Sequence, residues 1–506
     1  MSRLEELLKG LVIGNSNAED ESTELSKYFL ETSQWRTILE DRADFILGPK
    51  GSGKSALFTQ LVERGPTLEL EKRILLIPVE KPRGNPAFEL LGRVGLGEKV
   101  NGLIVDEKNL ERKLMGIWNL YFLLLTTKEL QIRFPNEKNL QRLFRIVEDE
   151  KLLPEKVELE EYLALVVDVA NKAFVNEALL GKRNQTIIGG ILEGLKWTID
   201  FKRQANDKKN EYYVSIDELL REINATLEEM NLKVWFAIDR LDAAFAEDIQ
   251  LEQVALRSLV RVRRDFGNLQ NFGFKIFFRD DIWDLITYER FPELSHIMEK
   301  TEDIKWKKRN LLNMVIRRFA ADSDLLREFN TTKEEIFSDY VNQQLIFHHI
   351  LPGKMVEGGK EIATIDWIWD NLIDAKNRLT PREVIQLLQY GRKAEMDRIH
   401  MGERGEEPIF PLISSDALRE VLIDVSERKL KGAIFGVQAG LRDPIERLFG
   451  WKTEFSLDEL AEKLELEKEE TKLLVRLMKR LGFLGEIKGR SNQYFIGPIY
   501  LHKLQE

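Results

Sequence analysis

The segment from Gly48 to Ser55 constrains the fold of this chain more than any other. It matches the pattern G-x-x-x-x-G-K-[ST], with the residues Gly48-Pro49-Lys50-Gly51-Ser52-Gly53-Lys54-Ser55. Residues 43–47 before it, Ala-Asp-Phe-Ile-Leu, predict a short buried strand, and residues 56–62 after it carry apolar side chains at helical spacing. In such a strand–loop–helix unit the backbone N–H groups surround phosphates at a helix N-terminus. The pattern therefore predicts an α/β P-loop core, a parallel sheet with helices on both faces.

The residues of this loop have different expected roles. The backbone from Gly48 to Ala56 forms the cradle for a nucleoside triphosphate. Lys54 supplies a positive charge to the phosphates, and Ser55 supplies a hydroxyl ligand to Mg²⁺. The expected cofactors are therefore ATP and Mg²⁺. P-loops contact the phosphates more than the base, so the pattern determines the base only weakly.

A second segment predicts the acidic partner of the metal. Residues 234–239 are an apolar run that ends in a carboxylate, so a buried strand would deliver Asp239 to Mg²⁺ together with Ser55. Many related ATPases carry a Glu directly after this Asp, and here that position is Arg240. Asp242 is the best candidate for orienting the attacking water. The alternative, in which Asp242 only caps the next helix, stays open.

Three arginines are candidate contacts to the nucleotide. Arg279 follows a predicted strand at 274–278, where ligands of doubly wound sheets bind, or else it pairs with an acidic neighbour at the strand end. Arg290 is either an arginine finger for a neighbouring subunit or an ordinary surface arginine. Thr380 and Pro381 predict a helix start, and Arg382 in its first turn is either a lid contact to the nucleotide or an exposed charge.

Composition limits the remaining classes of function. A chain of 506 residues with 43% hydrophobic and 32% charged residues predicts a globular protein of about two to four domains. The absence of cysteine excludes disulfides, thiolate zinc sites and a cysteine nucleophile. The net charge of −10 argues against a protein that coats nucleic acid through its whole surface. We expect a cytoplasmic location without a membrane partner, because the start of the chain has no signal-peptide pattern and no apolar run could span a bilayer.

Spacing between the motifs predicts the domain organisation. Lys54 and Asp239 lie much farther apart than one or two strand–helix units require, so a large helical segment is inserted between them. We read residues 355–360 as a loop inside a helical lid. The predicted divisions are lead-in helices (1–40), the first half of the ATPase core (41–106), the helical insertion (107–231), the second half of the core (232–320), the lid (321–401), and a linker with a winged-helix domain (402–506).

The end of the chain predicts a winged helix-turn-helix. Residues 456–464 form a helix that starts with a Ser-x-x-Glu box, residues 468–481 form a second helix, and residues 483–496 read as a hairpin. Glutamates crowd the start of the second helix, where DNA-reading side chains usually lie, so binding to duplex DNA and docking to protein both stay open. The candidate DNA contacts are Lys472, Arg476, Lys479, Lys488 and Arg490.

With these motifs in place, the chain resembles bacterial P-loop ATPases of the AAA+/STAND division, above all the KAP-like and archaeal-initiator-like members. The residues that carry the resemblance are 17–21, 48–55, 238–242, Arg279 and 380–383. The resemblance implies an assembly ATPase or nucleotide-dependent switch, of a type often found in anti-phage defence loci, that forms homo-oligomers and controls a protein effector. Arg240 departs from the pattern and implies slow turnover. An initiator or loader ATPase that engages DNA through the winged helix is the alternative.

Overall fold

A computed structural model gives the structure of the chain. The described residues are 3–16, 18–21, 24–79, 99–100, 103–104, 107–149, 200–204, 211–240, 249–287, 291, 294–405 and 410–505. They form two compact units. We call the first the sheet unit (37–47 and 57–302) and the second the helical unit (1–36, 48–56 and 303–506).

The strands are two to eight residues long, and the four at 45–48, 74–79, 233–238 and 272–279 are mostly apolar. In the described part of the chain they are β1 (Phe45–Gly48), β2 (Ile74–Val79), β3 (Lys99–Val100), β4 (Leu103–Ile104), β5 (Asp200–Gln204), β6 (Glu211–Ser215), β7 (Lys233–Ile238), β8 (Phe272–Arg279), β9 (Thr301–Asp303), β10 (Lys354–Glu357), β11 (Lys360–Ala363), β12 (Glu454–Ser456), β13 (Leu484–Glu486) and β14 (Gln493–Ile496).

Helices make up most of the remaining described chain, and none of these is both long and apolar enough to cross a bilayer. The first group is α1 (Arg3–Gly10), α2 (Leu25–Tyr28), α3 (Ser33–Leu39), α4 (Lys54–Glu63), α5 (Gly65–Lys72), α6 (Glu107–Arg133), α7 (Gln141–Asp149), α8 (Ile216–Glu229), α9 (Ile249–Asp265), α10 (Asp280–Thr287) and α11 (Leu294–Met298). The second group is α12 (Lys308–Phe319), α13 (Ser323–Glu328), α14 (Lys333–Ser338), α15 (Tyr340–Ile350), α16 (Thr364–Leu372), α17 (Pro381–His400), α18 (Ser415–Glu420), α19 (Leu422–Lys429), α20 (Arg442–Glu446), α21 (Leu457–Leu464), α22 (Lys468–Arg480) and α23 (Pro498–Leu504).

The main sheet has the strand order β2-β7-β8-β1-β9, and β2–β7 and β7–β8 are parallel pairs. Helix α6 covers this sheet through Phe122, whose ring lies 4.7 Å from that of Phe236 and 5.1 Å from that of Phe274. The indole of Trp118 on the same helix donates a 3.0 Å hydrogen bond to the Ala255 carbonyl of α9. A sheet with this order and with helices packed against it fits the α/β P-loop core that the sequence predicts.

A buried lysine ties the central strands to the turn before β1. Lys275 is fully buried, and its Nζ donates to Asp41 Oδ1 at 2.5 Å and to the Ala43 carbonyl at 2.8 Å. The ammonium also lies 4.2 Å from the ring centre of Trp235. Gly273 pairs with Trp235 in the sheet, and a Cβ on Gly273 would lie 2.6 Å from the indole Nε1. Burial lowers the pKa of Lys275, and the Asp41 carboxylate opposes that shift.

Two strand pairs differ from the expectations above. Residues 355–360, predicted to be a loop, belong to the hairpin β10–β11, in which Glu357 pairs with Lys360. Gly358 and Gly359 both have positive φ (55° and 78°), so they form its two-residue turn. The described part of the segment predicted to be a helical insertion also contains a hairpin, β5–β6.

The helical unit has its own apolar core, and the N-terminal helix belongs to it. Leu4, Leu7 and Leu8 of α1 are almost completely buried in a cluster with residues of α12, α16 and α17. The C-terminal module (residues 454–504) joins the same core. It comprises a sheet of order β12-β14-β13 with α21, α22 and α23, and Ser456 with Glu459 forms a capping box at the start of α21.

Candidate nucleotide site

The P-loop takes the backbone shape that phosphate binding requires. Strand β1 ends at Gly48, α4 begins at Lys54, and between them Gly51 and Gly53 have φ of +90° and +95°. This region of φ favours glycine, and alternating conformations of this kind turn successive N–H groups towards one side. No atom of the described residues lies within 4 Å of a Cβ placed on Gly53, so the loop has open space there.

Side chains of the loop add a charge and a buried hydroxyl. Lys54 Nζ donates to the carbonyls of Gly48 (2.7 Å) and Pro49 (2.9 Å). Ser52 is only 1% exposed, and its Oγ makes no hydrogen bond within the described part of the chain. The Ser52 carbonyl accepts a 2.9 Å bond from the indole of Trp306, which holds the backbone in place. A buried hydroxyl without a partner beside a phosphate-shaped loop fits a polar ligand.

The first turn of α17 lies directly against this loop. A Cβ on Gly51 would come within 2.8 Å of both Arg382 Cβ and Thr380 Oγ1. Arg382 is partly buried there, and burial lowers the pKa of its guanidinium. Within the helical unit the structure therefore brings Arg382 to the P-loop, and the alternative of an exposed first-turn charge does not describe it.

A buried polar network fixes the start of α17. Thr380 and Glu383 form a capping box, and Lys429 Nζ donates to Glu383 Oε1 at 2.8 Å. Lys50 Nζ reaches the Gly432 carbonyl at 3.0 Å, in the π-helical turn Leu430–Phe435 that follows α19. The first turn of α17 thus contacts the last residue of α19, and the P-loop contacts the turn that follows it.

An extended segment, which we call the strap (residues 11–16), runs along α17. Three side chains of α17, spaced seven and three positions apart and so on one face of the helix, donate to strap carbonyls in antiparallel order. These bonds are Arg382 Nε to Ser16 O (3.3 Å), Gln389 Nε2 to Gly14 O (2.6 Å) and Arg392 Nη1 to Leu11 O (3.0 Å). Sequence reasoning missed Gln389 and Arg392, because their partners are more than 370 positions away.

A buried ion pair holds the strap from its other side. Arg318 pairs with Glu21 through Nη1–Oε1 (2.7 Å) and Nη2–Oε2 (3.0 Å), and the two side chains are 8% and 5% exposed. Arg318 also donates to the Ile13 carbonyl at 3.1 Å, while Glu21 accepts the N–H of Asn15. Gly14 has φ of +81°, and a Cβ there would overlap Arg318 Nη1 and Glu21 Oε1. The left-handed φ at this position favours glycine, and a larger residue would have to displace the ends of both ion-pair side chains.

The end of strand β7 in the sheet unit holds a further candidate, Asp239. Asp239 is 3% exposed and directly follows β7, and Arg240 after it has φ of +61°. Among the described residues no group of three or more His, Cys, Asp or Glu side chains could hold a metal by itself. A magnesium site that uses Ser55 and Asp239 would need water and phosphate as its other ligands, and it stays a prediction.

Of the other three predicted catalytic residues, the structure describes only Arg279. Arg279 makes a bidentate pair with Asp281, from Nε to Oδ1 (3.0 Å) and from Nη2 to Oδ2 (2.6 Å). This is the salt bridge that the sequence left open as the alternative, and a phosphate contact would compete with it. Asp242 and Arg290 lie outside the described residues.

Ion pairs partly neutralise the basic side chains of the C-terminal module. Lys472 pairs with Glu469 at 2.5 Å, and Lys479 pairs with Glu486. The other three candidate DNA contacts make no ion pair with a described residue: Arg476, Lys488 and Arg490.

Comparison with known proteins identifies no family. No protein-family model matches the chain. A stretch of 65 residues is 40% identical to a transposon gamma-delta protein of 80.3 kDa from Escherichia coli K12, and it spans 13% of this chain but only 9% of that relative. Among solved structures, the ORC2 protein of Aeropyrum pernix in its ADPNP–ADP complexes aligns with 95% of this chain and 89% of its own, at 11% identity and a TM-score of 0.39. So low a TM-score does not establish a shared fold, and the functional argument depends on this chain's own residues.

Proposed function

We propose that the chain binds MgATP through residues 48–56 and acts as a slow ATPase whose nucleotide state is read by the helical unit. The observation that carries this proposal is the loop itself. Gly51 and Gly53 turn the backbone into an anion-binding shape between a buried strand and a helix N-terminus, and the buried Ser52 hydroxyl has no partner in the described chain.

Each residue then has a definite task. Lys54 would exchange the carbonyls of Gly48 and Pro49 for phosphate oxygens, because an ionised partner makes the stronger hydrogen bond. Ser55 and Asp239 would hold Mg²⁺, and Asp242 would orient the attacking water. Bound MgATP supplies a transferable phosphoryl group whose charge the metal neutralises.

Contacts of Arg382 support a switch rather than a simple hydrolase. Its stem lies on Gly51 and its Nε donates to the strap, so a change at the phosphates would reach both the P-loop and residues 11–16. The Glu383–Lys429 bond extends this connection to α19. We propose that Arg279 and Arg290 contribute to sensing and assembly, and that the switch controls a protein effector in anti-phage defence.

Binding of a fluorescent ATP analogue tests the proposal, with Lys54→Ala compared against Lys50→Ala. Both variants remove one ammonium from the same loop, but the Lys50 ammonium is directed at Gly432. Loss of a charged hydrogen bond of about 1.5–3 kcal/mol predicts a roughly 10–100-fold weaker complex for Lys54→Ala. We expect the dissociation constant of Lys50→Ala for the analogue to stay within about threefold of the wild-type value. Equal affinities for the two variants would contradict the assignment.

Hydrolysis separates binding from turnover in the same set of proteins. Asp242→Ala should bind the analogue normally and release phosphate poorly, and near-normal release would remove Asp242 from the mechanism. Duplex DNA in this assay tests the alternative function. Arg476, Lys488 and Arg490 favour a DNA-engaged ATPase, since no described carboxylate pairs with them. Stimulation by DNA that disappears when Lys488 and Arg490 are neutralised would support it.

A further inference from the structure

Helix α22 of the C-terminal module has an outward face with an unusual composition. Its inward face is buried at Thr471, Val475 and Met478. Leu473, at the middle of the outward face, is 63% exposed. An exposed leucine is ordinary by itself, but the charges beside this one form a pattern.

Two exposed charges of opposite sign flank Leu473 at equal spacing. Glu470 lies three positions before it and Arg476 three positions after it, so the three side chains share one face of the helix. Neither Glu470 nor Arg476 forms a salt bridge with a described residue, and the Arg476 charge makes only a lesser contribution than Lys472 to lowering the pKa of Glu469. Leu466, in the turn before α22, and Leu477 are partly buried and pack against the core.

This pattern is self-complementary. Read in the opposite direction, acid–leucine–base becomes base–leucine–acid. In two antiparallel copies related by a two-fold axis at Leu473, each Glu470 therefore faces an Arg476 of the other copy, and the two leucines meet between them. Duplex DNA would instead bring a phosphate towards Glu470, and Lys472 and Lys479 on the same helix are already paired.

We propose that the outward face of α22 is a self-association surface, on which a second copy of this chain packs its own α22 in antiparallel orientation. The interface uses Leu473 as its apolar centre and two symmetric Glu470–Arg476 pairs for orientation. It does not depend on the nucleotide site.

Charge reversal gives a decisive test, because at a two-fold interface one substitution changes the same residue in both copies and so alters both Glu470–Arg476 pairs. Sedimentation velocity over a concentration series would measure the dimer Kd of the full chain. Glu470→Arg and Arg476→Glu alone should each raise the Kd at least about tenfold, since two attractive pairs become repulsive. The double variant should return to within about threefold of the wild type. An equimolar mixture of the two single variants should recover in the same way, because each forms its complementary pairs only with the other.

Two controls keep the result interpretable. Glu462→Arg makes the same charge change at an exposed position of α21 and should leave the Kd unchanged. Lys54→Ala should also dimerise normally, so failure of the nucleotide proposal would be seen separately. A wild-type chain that stays monomeric, single variants without effect, or a double variant that does not recover would each overturn the proposal.

Discussion

Adding one methyl group at Gly14 tests how the strap is held. In Gly14→Ala the new Cβ would overlap Arg318 Nη1 and Glu21 Oε1, so the ion pair or the strap has to move. The matched control is Gly402→Ala, where φ is +75° and no described atom lies within 4 Å of the new Cβ. Both substitutions place alanine in the left-handed region, and only the first also meets a buried charge pair.

The magnitude follows from the burial of that pair. Left-handed φ costs an alanine about 1 kcal/mol, and this term is common to both variants. Separating a charge pair that is 8% and 5% exposed costs about 3–5 kcal/mol when the charges stay buried. We therefore expect Gly14→Ala to lower the free energy of unfolding by roughly 3 kcal/mol more than Gly402→Ala does, because some of the pairing re-forms after a shift.

Urea denaturation followed by tryptophan fluorescence would measure both variants against the wild type. A double-mutant cycle with Glu21→Ala separates the cost of breaking the ion pair from the backbone strain, because Arg318 Nη1 has to move in both backgrounds. Once Glu21 is truncated, the added cost of Gly14→Ala should fall towards that of the control. Equal destabilisation by Gly14→Ala and Gly402→Ala, or strict additivity with Glu21→Ala, would refute the steric argument.

Two further predictions concern buried and exposed charges. Lys275→Met should destabilise the sheet unit by about 2 kcal/mol in chemical denaturation, because the Ala43 carbonyl and the Asp41 carboxylate lose their hydrogen-bond donor, whereas Lys233→Met at the exposed start of β7 should change stability by less than about 0.5 kcal/mol. Hydrogen bonds from Lys452 and Ser456 lower the pKa of Glu459 from 4.5 to about 2. The ionised Glu459 therefore contributes fully to the stability of the folded protein above pH 4.5, and this contribution is lost as the pH falls towards 2. The difference in melting temperature between the wild type and Glu459→Gln should therefore be larger at pH 7 than at pH 3, and a difference independent of pH would contradict this.

Elements that a local sequence pattern encodes could be predicted, whereas contacts between residues far apart in the sequence could not. The P-loop, the strand before Asp239 and the helix start at Thr380 are encoded within a few residues, and the structure has these elements where the sequence predicts them. The hairpin around Gly358 differs from the predicted loop because a glycine pair is typical of both. The strap contacts join residues at opposite ends of the chain, and no local pattern indicates which carbonyl Gln389 will bind.

The contact between Gly273 and Trp235 has a consequence for how this sequence can evolve. Any side chain at position 273 would collide with the indole, and the same indole lies against the ammonium of Lys275. Loss of the indole would open space beside Gly273 but remove the aromatic surface that covers the lysine. Drift at these three sites is therefore coupled. A lineage that replaces the tryptophan should also have exchanged the glycine and the lysine, so the three columns of an alignment would covary rather than vary one at a time.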